Sequence, residues 1–144
     1  MRRGIVWVAV LFTTTCVASA IFGRGDARAQ SPVVDRWHLI GVSNQGMVVS
    51  IDRSTAVDQG GVITLWVKYA YAEGKGAYIS GKGRVATSLS REEVSCRLMQ
   101  TAVLSHTSYD QEGSTVYSVN YPYPMPSPII PESMGELVWR AVCL

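Results

Sequence analysis

The sequence predicts an α+β domain: an antiparallel sheet of five or six strands, with a C-terminal helix packed on one face and one disulfide. Three observations lead to this fold class. Segments rich in β-branched and aromatic residues alternate with turn residues through most of the chain. A helical apolar pattern occurs only at the C-terminus, after a proline-rich segment. Two cysteines, Cys96 and Cys143, remain beyond an N-terminal secretion signal.

Residues 1–29 have the three parts of a signal peptide. Arg2 and Arg3 give a positive start, residues 4–22 are apolar, and residues 27–29 (Ala-Arg-Ala) form a small-residue cleavage site. We therefore expect a single mature domain of residues 30–144, exported to the periplasm, the cell surface or the medium. An uncleaved membrane anchor is the alternative, because the apolar stretch is long. After cleavage we expect no membrane span.

Removing the signal changes the charge of the chain. The whole chain has 13 basic and 11 acidic residues, of which the signal holds four basic and one acidic. The mature part therefore has nine basic and ten acidic residues, a net charge of −1. Nucleic-acid binding needs a clustered positive surface. We accordingly expect no nucleic-acid partner.

Five segments of the mature chain have strand character: residues 37–43, 47–52, 62–72, 85–109 and 114–120. The first two form a predicted hairpin. The third is the clearest strand, since Leu65 and Val67 share one face and Lys68 the other. Trp66 lies on that second face and indicates that part of the face is covered. The fourth segment is long for one strand, and it predicts either two strands or one bent strand.

Residues 121–131 hold five of the six prolines, which predicts an extended connector rather than a central strand. A helix follows. Ser133 and Glu136 have the spacing of a capping box, with Ser133 accepting from the amide of Glu136 and Glu136 reaching back to the amide of Ser133. The apolar residues after this box recur at helical spacing, which predicts one apolar stripe packed on the sheet.

Two segments are candidate ligand contacts. The glycine-rich residues 73–84 predict a flexible loop, and its cations Lys75, Lys82 and Arg84 are suited to an anionic partner. In the proline connector, Tyr121 and Tyr123 either form an exposed aromatic contact surface or pin the connector to the core.

Catalytic and cofactor chemistry has little support in the sequence. His38 and His106 have no Cys, Asp or Glu at metal-ligand spacing, and no Gly-x-Ser-x-Gly elbow is present. Residues 76–82 resemble the start of a phosphate-binding loop, but Gly83 stands where Ser or Thr would hold magnesium. An even cysteine count in an exported chain predicts a disulfide, with two separate buried thiols as the alternative. We expect that the protein is not an enzyme and that it binds no metal and no cofactor.

The order of landmarks is similar to that of the surface-adhesin protein E-like family of Gram-negative bacteria. The landmarks are Trp37, Gly41, Gly46, residues 51–54, Trp66, residues 92–97, residues 128–136 and residues 142–143. The resemblance implies the sheet-plus-helix fold and the Cys96–Cys143 bridge. It also implies adhesion to extracellular or host matrix and serum proteins, and haem binding.

Fold transfers between relatives more securely than function, because function depends on particular sites. Adhesion to a host protein is therefore the first expectation. A periplasmic binding or inhibitory module is the alternative, a haem-binding envelope protein the third hypothesis and an envelope hydrolase the last.

Overall fold

A computed structural model describes residues 36–72 and 75–144. The predicted signal peptide and cleavage site lie outside the described residues. The elements are β1 (His38–Val42), β2 (Val48–Asp58), β3 (Val62–Ala70), β4 (Tyr78–Ile79), β5 (Gly83–Arg84), β6 (Thr87–Ser95), β7 (Gln100–Tyr109), β8 (Thr115–Asn120), β9 (Ser127–Pro128) and α1 (Met134–Cys143). Among them, no helix has the length and apolar character needed to cross a membrane.

The main sheet is antiparallel with the order β1-β2-β3-β6-β7-β8. Strand β9 also pairs with β7, at Gln100 and Thr101, so β8 and β9 follow one another along the same edge of β7. Strands β4 and β5 form a separate small hairpin. The predicted fold class is confirmed, and residues 85–109 contain two long strands rather than one bent strand.

The core lies between the sheet and helix α1. Its buried members are apolar residues that alternate along the central strands, together with one residue of the connector and one of the helix: Val49, Ile51, Leu65, Val67, Val94, Ile129 and Val138. The predicted alternation of β3 is therefore correct, with Leu65 and Val67 beneath the helix. At Gly41, a Cβ atom would lie 3.1 Å from Leu137 Cδ1, so glycine lets the helix approach β1 closely.

The helix is fixed at both ends. Ser133 is the N-cap, and its Oγ accepts a hydrogen bond from the Glu136 amide at 3.3 Å. The other half of the predicted capping box is wrong: the Glu136 carboxylate accepts from the amide of Glu132 at 2.6 Å, one residue earlier than predicted. The Ser133 amide already donates to the Ile130 carbonyl across a turn, at 3.2 Å. It is therefore not available to Glu136.

At the C-terminal end, Cys96 and Cys143 form the predicted disulfide, with their Cα atoms 5.4 Å apart. The Trp139 indole N–H donates to the Cys96 carbonyl at 3.2 Å beside it. Helix α1 thus has both a covalent bond and a hydrogen bond to the end of β6.

Candidate functional site

The end of β8 and the proline connector carry a row of exposed large side chains. We call it the tyrosine ridge, and it consists of Tyr117, Tyr121, Tyr123 and Met125. Their exposed fractions are 41%, 43%, 87% and 83%. The sequence left open whether Tyr121 and Tyr123 are exposed or buried, and the structure places both at the surface. Tyr117 and Met125 were not among the predicted contacts.

Local structure explains why the tyrosine ridge stays outside the core. The Tyr121 amide donates to the Leu104 carbonyl at 2.8 Å, which fixes the start of the connector to β7. Proline then follows at 122, 124 and 126, so the chain has no amide at these positions for further sheet pairing and remains extended. The intervening side chains project from this extended backbone without a covering layer.

The base of the tyrosine ridge is ordered by aromatic and hydroxyl contacts. The ring of Tyr117 lies 6.2 Å from that of His106, tilted by 52°. Partial desolvation, together with the nearby Tyr117 hydroxyl, raises the pKa of Tyr121. These neighbours hold Tyr117 and Tyr121 beside one another, while Tyr123 and Met125 extend into solvent.

The three predicted cations of the glycine-rich loop have different surroundings. Arg84 donates from Nη1 to the Gly76 carbonyl at 2.7 Å, so it braces the loop itself. It also lines a cleft of about 290 Å³, together with Asp110 and Glu112. Lys75 lines a different cleft. The side chain of Lys82 is exposed.

The described part of the loop, residues 75–84, contains a closed hairpin and a buried glycine. Gly76 is buried, and a Cβ atom there would lie 1.7 Å from the Val85 carbonyl oxygen. Backbone hydrogen bonds from Val85 to Ala77 and from Lys82 to Ile79 close the β4–β5 hairpin. Glycine here serves close backbone packing as well as turning.

A buried polar cluster that the sequence did not reveal occupies β3, β6 and β7. The Tyr69 hydroxyl donates to Glu92 Oε1 at 2.8 Å. Ser88 and Ser108 share a hydrogen bond of 2.8 Å, and Ser108 Oγ lies 3.0 Å from His106 Nε2. Burial raises the pKa of Glu92, although hydrogen bonds from its neighbours oppose the change. Burial likewise lowers the pKa of His106.

The His106–Ser108 pair has hydrogen-bond geometry that a nucleophilic serine would use. Ser108 is only 4% exposed, however, and Ser88 beside it is also buried. A substrate has no approach to either hydroxyl. The pair satisfies polar groups inside the sheet, where an unpaired hydroxyl would destabilise the fold.

The two histidines lie in different surroundings. Nε2 of His106 is engaged with Ser108, and its ring is half-buried against Tyr117. His38 is exposed on the edge strand β1, where the neighbouring large apolar side chain, Leu39, points to the opposite face. Within residues 36–72 and 75–144, no three side chains of His, Cys, Asp or Glu are grouped to hold a metal ion.

The face of the sheet opposite to helix α1, which we call the outer face, has a second ordered cluster. Arg36 forms an ion pair with the buried carboxylate of Asp52. Burial alone would raise the pKa of Asp52, but hydrogen bonds from Ser54 and Arg36 outweigh this effect and lower it. The Lys68 ammonium lies 4.8 Å from the centre of the Trp37 ring. Residues 36 and 37 are thereby fixed across β2 and β3.

These features define a class of protein: a disulfide-closed sheet-and-helix domain that presents side chains on exposed surfaces. A family model described as surface-adhesin protein E matches residues 37–144. The chain therefore belongs to the surface-adhesin protein E family. Membership implies a non-enzymatic protein that is exported or located at the cell surface. No curated protein and no solved structure gives a significant match to the chain.

Proposed function

We propose that this protein is an adhesin that binds an extracellular host protein through the tyrosine ridge. The observation that carries the proposal is the exposure of four large side chains in a short stretch of chain, with Tyr123 at 87%. Aromatic residues and Met are enriched at protein interfaces, and an exposed cluster of them is unusual on a surface without a partner. Family membership supports an extracellular partner.

The tyrosine ridge is favoured over the glycine-rich loop because the side chains at its outer end project into solvent. Arg84 is occupied in bracing the loop, and its cleft is also lined by acidic residues. By contrast, Tyr123 and Met125 are mostly exposed. A tyrosine also loses little conformational entropy on binding, since it has only two side-chain torsions.

Binding of the exported protein to immobilised matrix and serum proteins tests this proposal. We expect the Tyr123→Ala, Met125→Ala double variant to bind at least about tenfold more weakly, as central aromatic anchors typically do on truncation. Tyr78→Ala is the matched control, because Tyr78 is 67% exposed but lies in the β4–β5 hairpin. A Lys75→Gln, Lys82→Gln variant tests the loop in the same assay. Equal loss in the ridge variant and in the Tyr78 control would contradict the assignment to the ridge.

The alternative is a periplasmic binding or inhibitory module, which needs no host ligand. Accessibility of the protein to antibody on intact cells separates the two functions. We expect surface labelling. Labelling only after the outer membrane is permeabilised, together with no binding to host proteins, would reject adhesion.

A further inference from the structure

The outer face carries two parallel rows of side chains that cross the sheet. In the first row, strand register places Trp66 directly beside Arg91. In the second row, it places Lys68 beside Leu89. Directly opposed residues of antiparallel strands share a face, so these side chains project together. Both rows continue over β7 and β8 with uncharged hydrogen-bonding side chains: Ser105, Asn120, Thr107 and Ser118.

The rows combine positive charge with aromatic surface. Trp37 contacts both the Lys68 ammonium and the Arg36 guanidinium, the latter at 5.6 Å from its ring centre. Asp52 lies at the β2 end of the first row, where it is buried and already paired with Arg36. It therefore does not oppose an incoming anion.

Two of the cations are available to an anionic ligand. Within the described residues, the ion pairs are Arg36–Asp52 and Arg140–Glu136, so Lys68 and Arg91 have no carboxylate partner. Arg91 is exposed and Lys68 is half-buried. Glu93 lies in the next row of this face, opposite Thr64, and is half-buried. The two rows themselves consequently have an unpaired positive charge.

We propose that the outer face binds a sulfated polysaccharide. A guanidinium presents paired donors that match the oxygens of an oxyanion such as sulfate, as it does for carboxylate and phosphate. The half-buried Trp66 of the first row offers flat apolar surface for the face of a sugar ring. Hydroxyl and amide side chains, which both donate and accept, suit sugar hydroxyls. Because the rows cross successive strands, they fit a linear chain laid over the sheet.

Retention of the exported protein on immobilised heparin, eluted with increasing chloride, tests the site. We expect the Lys68→Gln, Arg91→Gln variant to bind at least about tenfold more weakly, since two charge-assisted contacts are lost. The salt dependence of binding should become shallower. The Lys75→Gln, Lys82→Gln variant has the same net charge as the Lys68→Gln, Arg91→Gln variant. It should nevertheless elute close to wild type.

Two further comparisons make the result specific. Arg91→Gln alone should also reduce retention, and it keeps the test valid if replacing Lys68 disturbs the contact with Trp37. Desulfated heparin should bind weakly.

If the loop control loses as much retention as the outer-face variant, or if single-stranded DNA binds as tightly as heparin, the surface is a general anion binder and the proposal is overturned. This site uses residues separate from the tyrosine ridge, so its failure would leave the proposed protein adhesion untouched.

Discussion

Glu92 shows how one residue can depend on pH inside an otherwise ordinary sheet. Its carboxyl group is buried and accepts a hydrogen bond from the Tyr69 hydroxyl. Thr101 Oγ1 is buried, and no described group meets the geometry of a hydrogen bond to it. It is nevertheless close enough to Glu92 to lower the pKa of that carboxyl group. Burial is the larger effect, so the pKa of Glu92 is raised in the folded state. The folded protein keeps this proton to a higher pH than the unfolded chain does.

A Glu92→Gln variant should therefore become more stable relative to wild type as the pH rises. Below the unfolded pKa of about 4.3, both states of the wild type are protonated and Glu92 carries no penalty. Above it, the unfolded chain ionises first, and the free energy of unfolding falls until the folded pKa is passed. Gln removes this titration and still accepts from Tyr69. Denaturant unfolding of both proteins at pH 4 and pH 8 measures the difference. If the free energy of unfolding of the variant minus that of wild type stays constant or falls between pH 4 and pH 8, the raised pKa of Glu92 is contradicted.

Ser133 sets the start of helix α1, and its contribution can be measured. Ser133→Ala should lower the free energy of unfolding by about 1 kcal/mol, because the Glu136 amide loses the Ser133 hydroxyl and keeps only the Ser133 carbonyl as an acceptor. Ser133→Asp is the matched control, since it retains an acceptor at the N-cap and should stay near wild type. Chemical denaturation at neutral pH compares the three proteins. An equal loss of unfolding free energy in Ser133→Ala and Ser133→Asp would show that the serine contributes through packing rather than capping.

The elements could be predicted to different extents, for physical reasons. Strand β3 could be predicted because apolar residues recur at every second position and these are the residues that the fold buries. Val67 lies under the helix and Trp66 on the outer face. Residues 53–58 extend β2 although four of the six are polar and two, Ala56 and Asp58, are depleted in strands. Pairing of their last residues with β3 stabilises this extension, and such pairing lies outside local sequence.

The candidate sites were harder to predict than the elements. Tyr121 and Tyr123 could be selected by residue type, but their exposure depends on what the rest of the fold covers. The polar cluster gave no signal, since Ser88 and Glu92 are residue types that usually mark a solvent-facing strand position. The outer-face rows depend on strand register, which joins residues as distant in sequence as Trp66 and Arg91.

At the scale of the whole molecule, the Cys96–Cys143 disulfide joins the sheet to the C-terminus. A helix of 10 residues is marginal by itself in water and depends on packing. The bridge closes a sequence separation of 47 residues, for which the chain-entropy argument gives an upper value of about 4 kcal/mol. Its loss therefore affects both the folded state, through the helix, and the unfolded state, through chain freedom.

Replacing both cysteines with serine should lower the free energy of unfolding by about 2–4 kcal/mol. The dependence of that free energy on denaturant should become steeper, because an unfolded chain without a crosslink exposes more surface. Wild-type protein unfolded with and without reductant provides the same comparison without mutation. The N-cap, the Trp139 bond to Cys96 and the Val138 core contact remain in the variant, so the helix should still form under native conditions. Circular dichroism measures that helix content. An unchanged midpoint and slope in the variant would show that packing alone fixes the helix, and that the bridge contributes little to this fold.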